Sequence, residues 1–189
     1  MNWKKIERLC KAAKQIVVQN TPDGPWIGDN MSLYPMYGLP ELSQEAVLTL
    51  FGVKPNDWDD YHYRADCVSG INLGDADDEE REIVPIGPVM CIGGAEIIAF
   101  PTRECISFLD LDHLKPVGEE AVGYYERLDA SGRVYIAVKK GFELKGVIYP
   151  NVMPMIHRNL PDELVTIAAR MRKRAEQETE RMSDNEQMG

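Results

Sequence analysis

Asp110-Leu111-Asp112-His113 is the most enzyme-like cluster in this chain. On an extended backbone Asp110 and Asp112 share one face, as residues two apart on a strand do, and His113 stands beside them. Two carboxylates and an imidazole are the ligand types of a metal-dependent hydrolase, in which a bound cation activates water. The competing reading is a surface turn in which Asp bonds the local backbone, and the residue types favour the turn. Asp57, Asp59 and Asp60 also offer carboxylates for acid–base work or Mg²⁺, but no second carboxylate motif on a strand end supports them. Counting from Asp75, an EF-hand would need Gly at its sixth position and Glu at its twelfth. Glu80 and Ile86 stand there, so Asp75–Glu80 reads as a solvated acidic loop. Gly87–Gly94 lacks the Lys-Ser/Thr end of a phosphate-binding loop, and a strand follows it. No nucleophile elbow or protease signature is present. No catalytic residue, metal or cofactor is therefore expected.

Two basic clusters stand against a net charge of −10. Lys4, Lys5, Arg8, Lys11 and Lys14 lie near the N-terminus, and Arg170, Arg172, Lys173 and Arg174 near the C-terminus. Such density can contact phosphates, or form a solvated face paired with nearby glutamates. The stretch from Asp57 to Glu82 holds ten acids against Arg64 and Arg81. Trp26, Tyr34, Tyr37, Trp58, Tyr61 and Tyr63 cluster in the first third, and Trp and Tyr are favoured at interfaces. The five from Trp26 to Tyr61 are the candidates for a protein-recognition surface.

These residues must be held by elements legible in the pattern. The length of 189 residues and 44% apolar content suit one domain with a real core. No apolar run approaches the roughly 20 residues of a membrane span, and the charged N-terminus lacks the apolar core of a secretory signal. A cytoplasmic protein with no membrane partner is expected. Cys10, Cys67, Cys91 and Cys105 include no C-x-x-C pair, which predicts free, mostly buried thiols. His62, His113 and His157 show no metal spacing.

The strongest pattern is a β-meander: Val122–Leu128, a turn at 129–132, Arg133–Lys139, a two-residue loop at Lys140-Gly141, then Phe142–Tyr149. An amphipathic helix spans 3–14 with Asn2 as N-cap, and a strand, turn and strand follow to Tyr34. A second helix spans 43–52, capped by Ser43, with Leu42 and Val47 as a hydrophobic staple. Residues 57–63 read as a loop into an edge strand, and 74–82 as an exposed loop without an apolar anchor. The β signal returns from Ile83. Cys105–Leu114 suits either a short helix or an irregular strand. Pro161, Asp162 and Glu163 open a charged helix over 161–182. The fold class expected is α+β: a mostly antiparallel sheet of six to nine strands with two packed helices and a charged C-terminal helix. The organisation is one α+β domain over 1–158, made of a helix–hairpin module (1–54), an acidic insert (55–82) and a β-rich part (83–158). Residues 159–189 add the helix and tail.

The run Tyr135–Pro150, followed by Val152-Met153-Pro154-Met155, resembles the closing strands of a DNA sliding-clamp domain. The opening helix and β-hairpin are also similar to the start of such a domain. The resemblance covers about a quarter of the chain. It implies a homo-oligomeric ring around DNA, lined by Lys4, Lys5, Arg8, Lys11 and Lys14. The chain is short for two clamp domains, and the insert at 57–82 has no clamp counterpart. The leading expectation is therefore a non-enzymatic module that binds another protein through an aromatic and acidic surface. A clamp-like DNA-binding module and a hydrolase around Asp110, Asp112 and His113 are the alternatives.

Overall fold

The computed structural model describes residues 2–150, except 69, 93, 104 and 119–121. Helix α1 (Trp3–Ala13) leads into β1 (Gln15–Thr21), β2 (Gly24–Gly28) and β3 (Ser32–Pro35). Helix α2 (Gln44–Leu50) and a 3₁₀ turn (Pro55–Asp60) precede β4 (His62–Ala65) and β5 (Arg81–Ile83). Strands β6 (Ile86–Ile92), β7 (Ala95–Pro101) and β8 (Ile106–Asp110) run into a second 3₁₀ turn (Leu111–His113). The meander β9 (Gly123–Leu128), β10 (Val134–Lys140) and β11 (Glu143–Ile148) follows. The result is a mixed α+β fold with a large sheet and few helices.

Local chemistry sets the boundaries. The Asn2 side chain accepts from Lys5 N–H, and Lys14 turns left-handed (φ +50°) to end α1. Ser43 caps α2, and Leu42 joins Val47 in the core as the staple requires. Asp29 makes the β2–β3 turn by accepting from the N–H groups of Met31 and Ser32 and from Ser32 Oγ. Gly28 is required beside it, because an added Cβ would lie 1.8 Å from the Ser32 carbonyl oxygen. The β10–β11 loop is Gly141-Phe142, one residue later than the pattern indicated: Lys140 pairs with Glu143, and Gly141 takes φ +61°.

Eight strands form one sheet in the order β4-β1-β2-β3-β11-β10-β9-β5, and β6-β7-β8 form a second. The pairing is mostly antiparallel, as expected, but the strands form two sheets rather than one. β4 pairs parallel with β1, and the β6–β8 hairpins stand apart as their own layer. Cys105–Leu114 is strand β8 followed by a 3₁₀ turn.

The large sheet is covered on both faces, so its strands β2, β3 and β10 are buried at nearly every position. Ile16, Val18, Ile27 and Tyr34 face α1 and α2, with Ile6, Cys10, Val47, Leu48 and Phe51 completing that core. Further along the same face, Ile136, Val138 and Ile148 pack on Phe100 and Leu109 of the small sheet. The alternate residues Val17, Trp26, Leu33, Tyr135, Ala137, Leu144 and Val147 form the other face, against which Val68, Ile71, Leu73 and two tyrosines pack among the described residues. The charged helix expected over 161–182, with Arg170, Arg172, Lys173 and Arg174, lies outside the described residues.

Asp129 organises the β9–β10 turn. Its Oδ1 accepts from Ser131 N–H, Ser131 Oγ and Arg133 N–H, and its Oδ2 from Tyr149 Oη at 2.7 Å. Burial alone pushes this carboxyl up. The hydrogen bonds from Ser131, Tyr149 and the two backbone N–H groups outweigh it and hold the value at about 2. Because the folded value lies below the unfolded one of 3.8, its contribution is present above about pH 4 and fades toward pH 2. Asp129→Asn is therefore expected to melt below wild type at pH 6, with the gap closing by about pH 2. Thermal midpoints across that range check this, and a gap that stays constant contradicts it.

Candidate binding site on the strap face

Residues 66–80 form a strap across the second face of the large sheet, and buried Arg127 of β9 ties it down. Its five guanidinium N–H groups are all used. Nη1 donates to the carbonyls of Asn72 (3.1 Å) and Gly74 (2.9 Å), and Nη2 to the carbonyl of Asp75 (3.1 Å). Nε and Nη2 both donate to Glu80 Oε2, at 2.9 and 2.6 Å. The other oxygen of Glu80 accepts from Lys139 Nζ, itself over the Tyr125 ring. Asn72 N–H donates to Tyr135 Oη, Val68 N–H to Gln19 Oε1, and Leu144 N–H to Asp75 Oδ1 at 2.7 Å. The expectation of an unanchored loop over 74–82 is thus corrected. Glu80 is fixed by Arg127 of β9 and Lys139 of β10, Asp75 accepts from β11, Leu73 just before the loop lies on the sheet, and Arg81–Ile83 adds strand β5.

The strap leaves a cleft on either side. The larger, about 860 Å³, has a floor of Trp26, Val68, Ile71 and Leu73, with Tyr37, Asp23, Asp75 and Glu143 also lining it. Among the described residues no Lys or Arg lines it. The smaller, about 300 Å³, shares Val68 and Ile71 and is lined by Arg64, Arg133 and Tyr149. The Arg133 guanidinium lies 4.2 Å from the Tyr149 ring centroid, and Arg64 donates to Asn30.

The aromatic candidates separate by burial. Trp26 is 3% exposed and Tyr34 fully buried, so neither forms an outer recognition surface. Each takes the apolar position its strand alternation assigns. Tyr34 Oη donates to the His113 carbonyl, and burial raises its ionisation. Trp58 and Tyr61 pack half-buried against the helical core, with Trp58 Nε1 donating to the Val53 carbonyl. Tyr37 alone is largely exposed, at 52%. Phe142, at 94%, is the most exposed large apolar side chain, although the meander pattern assigned it to a strand.

The basic face of α1 is partly neutralised. Lys11 pairs with Glu7 and Lys14 with Asp60. Lys4, Lys5 and Arg8 form no ion pair among the described residues. The thiols also depart from expectation. Cys10 is buried, with its ionisation pushed up by burial, whereas Cys67, Cys91 and Cys105 are exposed in the strap, on β6 and before β8.

Asp110, Asp112 and His113 do not converge. Asp110 caps the 3₁₀ turn by accepting from Asp112 N–H, and Asp112 pairs with Lys115. That lysine, more than opposing burial, holds the Asp112 carboxyl below its ordinary value. His113 turns instead toward Ser32 and Asp29, a trio invisible in the sequence because its members are far apart. It is not a nucleophile relay. Ser32 Oγ donates its proton to Asp29 Oδ1, so His113 Nδ1 (3.0 Å) must donate to Ser32 rather than accept from it. Both oxygens approach the same ring nitrogen, and Ser32 is 3% exposed. Among the described residues no group of three His, Cys, Asp or Glu side chains is placed to hold a metal, and no helix is long and apolar enough to cross a membrane.

Comparison with protein-family models, curated proteins and solved structures finds no match for this chain.

Arg127→Met should cost about 3–5 kcal/mol, because it takes both donors from Glu80 Oε2, leaving that carboxylate to Lys139 alone, and removes the donors of three strap carbonyls. Urea denaturation measures the loss. Hydrogen exchange should rise over 70–80 well before it rises in β10. Unchanged protection there would show that the apolar contacts alone hold the strap.

Proposed function

We propose that this chain is a protein-binding module whose site is the larger cleft beside the strap. Its occupant is a short partner segment that sets Lys or Arg beside an apolar side chain. One observation carries the reading: an apolar floor bounded by Asp23, Asp75 and Glu143, with no cation in the lining among the described residues. Apolar contact with Val68, Ile71 and Leu73 supplies affinity, and the carboxylates select a cationic neighbour and steer its approach. Tyr37 presents a rigid amphipathic surface, the kind that anchors binding hot spots. Asp75 spends one oxygen on Leu144 N–H, and Glu143 pairs with Lys145, so Asp23 is the carboxylate with fewest ties. The lining has carboxylates but no Ser, Cys, His or Lys, which suits binding better than covalent chemistry.

A fluorescein-labelled hexapeptide alternating Arg and Leu is the probe. Asp23→Lys with Tyr37→Ala should weaken its binding about tenfold or more, roughly 1.4 kcal/mol. Asp57→Lys, which makes the same charge change on an exposed turn, should shift it less than about twofold. Equal losses in the two variants would reduce the effect to the acidic net charge and remove the cleft as the site.

A second reading, a DNA-binding module of the sliding-clamp kind, is favoured by Lys4, Lys5 and Arg8 standing together on α1 without ion pairs among the described residues. It requires duplex-DNA affinity that drops steeply with added salt and is lost in Lys4→Glu/Lys5→Glu/Lys11→Glu. Fluorescence anisotropy at 50 and 200 mM salt reads both, and binding that the triple variant retains counts against this reading.

A further inference from the structure

Among the described residues four strands leave an edge open in the two sheets: β4 and β5 in the large one, β6 and β8 in the small one. Three of them carry charge: Arg64 on β4, Arg81 and Glu82 on β5, and Asp110 at the end of β8. Charge is the usual means by which an edge avoids pairing with another chain. β6, Ile-Gly-Pro-Val-Met-Cys-Ile, has none. Its ladder to β7 shifts between Ile86 and Met90, around Gly87-Pro88, and is regular only at Met90–Ile92. Val89 is 50% and Ile92 42% exposed, with Val84 just upstream at 67%. An uncharged strand with solvent-facing apolar side chains and a free backbone edge is a template for strand addition.

We propose that β6 pairs antiparallel with β6 of a second copy of this chain, joining two three-stranded sheets into one of six strands. Charge selects this occupant. β6 against β6 opposes apolar to apolar with no ion on either strand to desolvate, a match that the charged edges β4, β5 and β8 do not offer to a second copy of themselves. The contact is isologous, with the same residues contributed from both sides. In an antiparallel pair, opposed residues point to the same side of the sheet. The two-fold axis must therefore pass through a residue, Met90 or Cys91, rather than between them. Pro88, with no N–H to donate, limits the ladder to Val89–Ile92. So few rungs make a dimer that forms at tens of micromolar and dissociates on dilution.

Light scattering coupled to size-exclusion chromatography tests this on the full chain from about 1 to 500 μM. The mass should rise from 21.4 kDa toward twice that value. Val89→Lys, at a half-exposed position, should keep its melting temperature and remain monomeric. The Asp23→Lys/Tyr37→Ala variant of the cleft should dimerise like wild type, which separates this contact from the peptide site. In a Cys67→Ser/Cys105→Ser background, a bis-maleimide with a spacer of about 8 Å should couple Cys91 to Cys91, since either axis leaves them about 5–9 Å apart. A chain that stays at 21.4 kDa at the highest concentration overturns the proposal, as does a dimer that survives Val89→Lys.

Discussion

The fold depends on one buried guanidinium and the carboxylate next to it. Glu126 and Arg127 are adjacent on β9, so strand alternation sends them to opposite faces of the sheet, and both are essentially inaccessible to solvent. Arg127 gathers the strap, as its five donors require. Glu126 accepts from Arg81 at 2.5 and 3.0 Å and from Arg103 N–H at 2.9 Å. A charge withdrawn from water is tolerable only when its hydrogen-bonding capacity is used. This dipeptide therefore obliges two segments distant in sequence to take up fixed positions, and β5 and the strap are ordered through it.

That constraint explains the unequal cover of the large sheet. One face lies under two helices and a second sheet, which bury continuous apolar side chains. The other lies under a single strap whose apolar contribution is three half-buried residues. Polar anchoring substitutes for apolar area there. A cover held by a few directional bonds leaves room at its margins, and both clefts open there, sharing Val68 and Ile71 as their common wall.

What the sequence made legible was local. The meander, both helix caps and the turn at 129–132 each depend on neighbours within a few residues, and they appear where the pattern placed them except that the β10–β11 loop falls one residue later. What it hid depends on distance along the chain. Glu126-Arg127 looks like an ordinary charged pair in a half-exposed strand, and nothing nearby announces that Glu80 meets the arginine from 47 residues away. β4 is too short and too polar to declare a parallel partner. The aromatics misled for a related reason. Trp26 and Tyr34 sit in strands whose two faces are both buried, so their side chains have no solvent side to occupy.

The strand order also governs when the fold can be completed. β3 has β2 on one side and β11 on the other, with Leu33 facing Val147, so more than about a hundred residues separate the two halves of that ladder. On a ribosome adding roughly 5–20 residues per second, the opening hairpin waits on the order of ten seconds for its second neighbour. Until then it holds Leu33 and Tyr34 in an open edge, while α1 and α2 can already shelter one of its faces. Closing such a distant pair late is an entropic barrier of topology rather than of stability. The chain therefore carries that open edge until β11 has been synthesised.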